Sequence, residues 1–443
     1  MGGARQESGQ GAARKGDPAR GGALALLRGV LEGRAAIGDQ VAAGVLGALD
    51  PAGRARAQRL AIAALRGMAA AEAALAPHLA RRPDPALRAL LLLGASEVLA
   101  SPAGAHGAVA AAVDLARTLP GGAAKAGFVN AVLRRVAAGP VPVPPPPELP
   151  GWMRARLVAR FRAGPVGATE AVFAQPEVPL DLTLRDPGTT AAWAGATGAE
   201  VLPTGGLRLN RAGQVSALPG YAEGAWWVQD AGAAAVAGAL GPVAGRDVLD
   251  LCAAPGGKTM QLAAAGARVV AVDPSARRMA RLAENLARTG LRARCVTADA
   301  LTADLPRADA VLLDAPCTAT GTIRRHPELP LIRQEADLAA LTTLQAALID
   351  RALGLAVPGG VVVYATCSLL PEEGEAQIAA ALARARAGAC APFAVEPIAP
   401  PPGLPDAATP EGFLRLWPHH WAARGGIDGF FVARLRRAPD TTP

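Results

Sequence analysis

Two thiols and a carboxylate stand where two apolar runs stop. The run "ADAVLLD" leads into "APCTATG", which places Asp314 and Cys317 just past a buried strand, and "GGVVVYAT" leads into Cys367. A thiol starts near a pKa of about 8.5 and can be lowered by its surroundings, so cysteine is a more accessible nucleophile at neutral pH than serine. A single buried cysteine usually serves only as a small hydrophobe. Two at successive strand ends, each followed by polar residues, reverse that weighting in favour of function. If the two strands are neighbours, their ends lie about 5 Å apart and the three groups converge.

The elements that position them begin at Arg246. Apolar strands alternate there with helical stretches: "DVLDLCAA", "RVVAVD", "RARCVTAD", "ADAVLLDAP", "GVVVYATCS" and "GFFVARL". That alternation predicts a doubly wound α/β sheet with its ligand at the carboxyl ends of the strands. The first end, "DLCAAPGGKT", is a small-residue loop running into a helix, where Gly256 and Gly257 permit close backbone approach. A nucleotide-phosphate loop is a poor match, because its required first glycine falls on Cys252, and the dinucleotide G-x-G-x-x-G fingerprint is missing. The second strand ends at Asp273, where such folds place an acid on ribose hydroxyls, and the third at Asp299. Acidic and glycine-rich ends without a phosphate cradle suit an adenosine-containing cofactor, and S-adenosylmethionine meets that description.

At 443 residues the chain is long enough for two or three domains. Residues 1–17 carry charge without an apolar core and read as a disordered tail. Residues 18–138 repeat apolar positions at helical intervals, and the proline-rich 139–150 reads as an extended linker. An arginine-bearing helix and a β-leaning region fill 151–225, the α/β domain is expected over 226–437, and 438–443 form a second tail. The hydrophobic content of 51% is rich in alanine and interrupted by charge, so no spanning helix is expected and the location is read as cytoplasmic. Five cysteines without a CxxC pair argue against a disulfide framework or zinc knuckle, and His419–His420 lacks further ligand spacing, so no metal is assigned. The formal charge of +8 suits a polyanionic partner. Arg154, Arg156, Arg160, Arg162, Arg324 and Arg325 are candidates for phosphate contacts, against the plain reading of solvated faces. Trp226 and Trp227 could stack on a base, although packing under the sheet is favoured.

The blocks "DLCAAPGGKT", "VDPS", "DAPCTATGTIRRHPE", "YATCSLLPEEGE" and "GGIDGFFVARL" resemble the RNA cytosine-5 methyltransferases that use S-adenosylmethionine. Within them the chain is similar to the bacterial small-subunit ribosomal RNA enzymes of the Fmu/Sun group, because 18–138, at "AGFVNAVLRRV" above all, resembles the RNA-binding factor NusB. The resemblance implies a NusB-like all-α RNA-binding domain, a small α+β RNA-binding subdomain and a Rossmann-like class I methyltransferase domain. It implies that Cys252, Ala253, Ala254, Pro255, Gly256, Gly257 and Lys258 line the cofactor, with Asp273 on the ribose, Asp299 near the adenine and Asp314 between cofactor and base. By the same resemblance Cys367 is the nucleophile that adds to C6 of cytosine, Cys317 promotes product release, and Asp314 activates the base. The implied partner is small-subunit (16S) ribosomal RNA offering a single-stranded or flipped-out cytosine, with no obligatory protein partner and no membrane. The "TAT" after Cys317 departs from the "SGT" frequent in the wider family. Two other readings remain beside this one: the same chemistry on transfer RNA or another RNA, and a non-catalytic RNA-binding assembly factor.

Overall fold

The computed structural model describes residues 17–140, 143, 147–175 and 177–439. The chain divides into two compact units, Met1–Pro147 and Glu148–Pro443, with the division inside the proline-rich stretch.

The first unit is all helical: α1 (Pro18–Leu31), α2 (Ile37–Ala42), α3 (Pro51–Arg66), α4 (Met68–Leu75), α5 (Pro85–Ala100), α6 (Ala105–Ala116) and α7 (Gly122–Ala138). Three helices start on an Asp-Pro pair. Asp17, Asp50 and Asp84 accept hydrogen bonds from the backbone N–H of Ala19, Gly53 and Leu87 at 3.0, 2.7 and 3.0 Å. The proline after each sits at the first helical position, where its missing N–H costs nothing. Asp17, expected in the tail, is therefore the first helix cap, and residues 1–16 lie outside the described residues. Leu90, Leu91, Leu92 and Leu93 are all buried, so α5 is covered all round. A Cβ on Gly94 would come within 2.6 Å of Leu133, which is how closely α7 approaches α5.

The second unit opens with α8 (Gly151–Phe161) and α9 (Ala163–Phe173), followed by β1 (Leu180–Leu184), α10 (Thr190–Thr197), β2 (Glu200–Val201), β3 (Leu207–Leu209) and β4 (Trp226–Val228). The four strands form an antiparallel sheet in the order β2-β3-β1-β4. Residue 226 was expected to begin the α/β domain, yet β4 pairs with β1, Leu182 opposite Val228, so the small sheet runs at least to 228. Trp226 and Trp227 are 0% and 2% exposed on opposite faces of β4; this is packing, and neither ring is open to a base.

The α/β sheet follows, built from α11 (Ala231–Gly238), β5 (Asp247–Leu251), α12 (Gly257–Ala264), β6 (Arg268–Asp273), α13 (Ala276–Thr289), β7 (Arg294–Thr297), β8 (Ala308–Asp314), α14 (Leu329–Ile332), α15 (Glu335–Leu355), β9 (Ala356–Thr366), α16 (Glu375–Arg386), β10 (Phe393–Glu396), β11 (Leu414–Leu416) and β12 (Phe430–Arg437). Its order is β10-β12-β9-β8-β5-β6-β7, with β11 on β12; the run from β9 to β7 is parallel and β12 antiparallel. The short β10 and β11 were not anticipated. Both faces are covered, as near-continuous apolar strands require. Ala310, Leu312, Val361, Val363 and Ala365 pack on one side, and Val311, Leu313, Val362 and Tyr364 on the other. Among the described residues α15 is long and apolar enough by itself to cross a membrane, with mean hydropathy 1.3, but Leu348, Ile349, Ala352 and Leu353 pack into the second of these cores. From β5 the chain winds outward through β6 and β7 on one side and through β8 and β9 on the other, so the switch point lies between β5 and β8. The crevice at their carboxyl ends is the expected ligand position.

Candidate active site

Asp250, near the end of β5, is fully buried and accepts a hydrogen bond from Thr259 Oγ1 at 2.5 Å. Its Oδ1 is buried without a hydrogen-bond partner, and burial pushes the carboxyl up to about 7. Cys252 takes a left-handed backbone, φ 63°, and burial followed by neighbouring carboxylates pushes its thiol up to about 12. Ala253 and Ala254 are buried, and Ala253 N–H donates to Val272 O on the next strand. After the cis Ala254–Pro255 peptide, Gly256 has φ 105°, which favours glycine, and a Cβ there would lie 2.1 Å from the end of the Leu282 side chain. Gly257 and Lys258 then open α12.

Asp273 ends β6 and is 1% exposed. Its Oδ1 accepts from Ser275 N at 2.9 Å, while Oδ2 is buried with no hydrogen-bond donor, although the Arg278 guanidinium lies 3.4 Å away. Asp299 stands two residues past β7, exposed, with Oδ1 accepting from Leu301 N. A cofactor with a methionyl ammonium and ribose hydroxyls fits this crevice, because the orphaned Asp250 Oδ1 and Asp273 Oδ2 are acceptors for such donors. Asp250 was overlooked in the sequence, although the rule that selected Asp273 and Asp299, an acid at a strand end, applies to it equally.

Asp314 ends β8. Its Oδ2 accepts a hydrogen bond from Lys258 Nζ at 2.7 Å, and the ammonium also lies 5.2 Å from the Phe430 ring centroid. Burial lowers the ammonium's pKa, but Asp314 outweighs burial and the net direction is up. Lys258 was expected only as part of the cofactor lining; the structure puts its charge on the carboxylate beside the cysteines.

The two cysteines meet. Cys317 is buried, Cys367 is half-buried, and their sulfurs are 3.4 Å apart. The Cys317 thiol is raised well above its ordinary value, first by its hydrogen bond with Cys367 and then by burial. Cys367 is held by its carbonyl, which accepts from Gly321 N at 2.9 Å, and Gly321 O accepts from Gly429 N at 2.9 Å. A Cβ on Gly321 would meet Gly429 O at 2.1 Å, so three backbone segments close on one another here.

The expected phosphate-binding arginines are mostly engaged within the protein. Arg154 pairs with Glu170, Arg156 with Glu335 and Glu372, and Arg160 with Glu411. Arg324 is 1% exposed between Asp230 and Asp428, and Arg325 pairs with Asp428. Burial, then the charge of Asp428, raises Asp230 to about 6, while Arg325 and Arg324 outweigh burial at Asp428 and lower it. Arg162 remains exposed. Among the described residues no group of three His, Cys, Asp or Glu has metal-ligand geometry.

Comparison with known proteins matches residues 237–436 to the family described as 16S rRNA methyltransferase RsmB/F, and residues 18–138 to the NusB family. Ribosomal RNA small subunit methyltransferase B of Xylella fastidiosa (strain 9a5c) is 38% identical over 406 residues, covering 87% of this chain and 92% of that protein. The protein of the same description from Pseudomonas syringae pv. tomato is 37% identical over 393 residues, 82% of this chain and 84% of its own. Among solved structures, PH0851 superposes with a TM-score of 0.73 at 24% identity, over 95% of this chain and 99% of its own. NSun6 from Pyrococcus horikoshii, solved with SFG, gives 0.55 at 20% identity over 66% of this chain and all of its own. The solved structures show a shared fold. With 38% identity running through most of its length, and a family model spanning every strand end of the crevice, the chain belongs to the RsmB/F family of 16S rRNA methyltransferases.

Proposed function

We propose that this RNA methyltransferase moves a methyl group from S-adenosylmethionine, its cofactor, to C5 of a cytosine in small-subunit ribosomal RNA through a covalent bond between Cys367 and C6. The observation that carries the reading is the 3.4 Å approach of the Cys317 and Cys367 sulfurs, on the strand ends next to the Asp314–Lys258 pair.

C5 of cytosine is a poor nucleophile until the ring gains electrons. Cys367 loses its thiol proton to solvent, the resulting thiolate adds to C6, and the C5=C6 electrons shift so that C5 becomes enamine-like. The Asp314–Lys258 pair matches the base's polar edge: the carboxylate accepts from the exocyclic amine, and the ammonium donates towards N3, where negative charge develops. The ammonium thus supplies the hydrogen-bond donor to N3. When bound, the cofactor supplies an electrophilic methyl group. Its lining is Cys252 to Lys258, with Asp250 facing the ammonium, Asp273 the ribose and Asp299 the adenine side. After transfer, C5 loses its proton to solvent base, the C5–H electrons restore the C5=C6 bond, and the C6–S bond breaks with its pair on Cys367. The Cys317 thiol donates a proton to that departing thiolate and is reprotonated from solvent. A base reached in this way must be single-stranded or flipped out.

The test is incubation of the full-length protein with deproteinised small-subunit RNA and labelled S-adenosylmethionine, followed by mapping of the modified base. The expected product is 5-methylcytosine in that RNA. Label at another atom or another base would overturn the chemistry, and transfer only to transfer RNA would overturn the substrate.

A further inference from the structure

Glu373 is 0% exposed, and hydrogen bonds lead from it to both cysteine loops. Its Oε1 accepts from Thr318 N at 2.9 Å and from Gln345 Nε2 at 2.9 Å, and its Oε2 accepts from the Thr318 hydroxyl. Gln345 Nε2 also donates to Pro316 O at 2.9 Å. Cys317 therefore sits between two residues tied, directly or through Gln345, to one carboxylate. The Glu373 carbonyl accepts from the Tyr364 hydroxyl at 2.8 Å and from Thr366 Oγ1 at 3.1 Å, which fixes the carboxylate to the strand that ends beside Cys367.

The hydroxyls between the loops have one consistent set of directions. An ionised carboxylate only accepts, so the single Thr318 hydroxyl proton points at Glu373. Ser368 Oγ, 3.1 Å from Thr318 Oγ1, must then donate to Thr318, and Thr320 Oγ1, 3.2 Å from Ser368, must donate to Ser368. The backbone N–H groups of Leu369 and Leu370 donate to Thr320 and Ser368 at 2.8 and 3.0 Å and complete the set. Thr318 and Ser368 are the immediate successors of the two cysteines. One buried negative charge orients both. The same charge favours the uncharged thiol at Cys317.

Resting on the reading that Cys317 assists release, we propose that Glu373 is the positioning residue of the cysteine pair: it holds the Cys317 thiol on the Cys367 sulfur and so sets the rate of product release, not of methyl transfer. Cys367 keeps its backbone anchors when the Glu373 side chain changes, because the strand pairing that leads to it and the Gly321 N–H do not involve that carboxylate.

Glu373→Gln keeps one acceptor for Thr318 N and Gln345 but removes the charge and faces the Thr318 hydroxyl with a donor. Thr318→Val removes the hydroxyl and leaves the N–H. In rapid-quench assays with deproteinised small-subunit RNA and labelled S-adenosylmethionine, both variants should make a first-turnover burst like that of the unmodified protein. Their steady-state rate should fall about tenfold or more, as small misplacements of a reacting group do, and a protein–RNA adduct should build up on denaturing gels. Burst and steady state falling together in step with a lowered melting temperature would assign Glu373 a structural role only and overturn the proposal. Unchanged release in both variants would overturn it too. If instead the unmodified protein transfers no methyl group and Cys317→Ala traps no adduct, it is the underlying reading of the site that fails.

Discussion

The Lys258 ammonium and Asp314 Oδ2 lie 2.7 Å apart, joining the first turn of the helix after the glycine loop to the strand end beside the cysteines. Lys258→Met would leave Asp314 without this donor and remove the positive charge that meets the activated ring. Single-turnover methyl transfer should fall about 100-fold or more, the scale of losing one preorganised donor. Lys258→Arg should recover only part, since a planar fork replaces a point charge. Transfer by Lys258→Met at the normal rate would exclude the pair from base activation.

Cys367→Ala should abolish transfer, because no other group in the crevice replaces the sulfur at C6. Cys317→Ala should instead accumulate a covalent protein–RNA adduct that survives denaturation. Equal, adduct-free loss in both variants would show that the two thiols do not divide attack and release.

Burial raises Asp250 to about 7 and Asp230 to about 6, both above the ordinary value of 3.8. A carboxyl whose folded pKa is raised binds its proton more tightly when folded, so these groups make the protein more stable as pH falls from about 7 towards 4. The slope is at most about 1.4 kcal/mol per pH unit for each group. Chemical denaturation between pH 7.5 and pH 5 should show the gain, and Asp250→Asn should flatten its upper part. Cofactor affinity should run the other way, strengthening as Asp250 ionises to meet an ammonium. A flat stability profile through this window would refute the assignment.

Arg324 is enclosed by Asp230 and Asp428. Arg324→Gln should therefore cost stability, by about 3–5 kcal/mol, through uncompensated buried carboxylates. RNA affinity measured on the folded fraction should change little. A loss of RNA binding with unchanged melting would return this arginine to the role first considered for it.

Ala319 has φ 60°, in the second position of the "TAT" that departs from the frequent "SGT". A left-handed alanine costs roughly 1 kcal/mol, against an entropic cost of similar size for glycine. Ala319→Gly should change the unfolding free energy by only about a few tenths of a kcal/mol, whereas the β-branched Ala319→Val should destabilise by more than about 1 kcal/mol, both read from denaturation midpoints. Equal effects from the two substitutions would mean that backbone conformation does not govern this position.

Much of this site was legible because its residues stand at strand ends, and strand ends are visible where an apolar run of five to eight residues meets small or polar ones. Cys317, Cys367, Asp273 and Asp314 were found in that way, and the adjacency of β8 and β9 brought the cysteines together. Three-residue elements carry too little periodicity, so the domain boundary drawn at 226 separated β4 from its own sheet and β11 was missed. Charge content could not reveal that Arg156 meets Glu372 or that Arg160 meets Glu411, pairs more than 200 residues apart in the chain. The pairing of Lys258 with Asp314 and the reach of Glu373 to Thr318 were hidden for a related reason: only the folded sheet brings these partners within reach, whereas Asp250 obeys the strand-end rule and was overlooked.

In the parallel pairing of β8 with β9, Asp314 stands opposite Ala365, with Val311, Leu312 and Leu313 facing Val362, Val363 and Tyr364. Side chains alternate along a strand, so a slip of one residue would exchange the sets packed into the two cores and carry Cys367 away from Cys317. Catalytic competence is thus a readout of correct sheet assembly. A misregistered chain would be inert before it was visibly misfolded, and the valines in the middle of β9 hold the site together as closely as the thiols themselves.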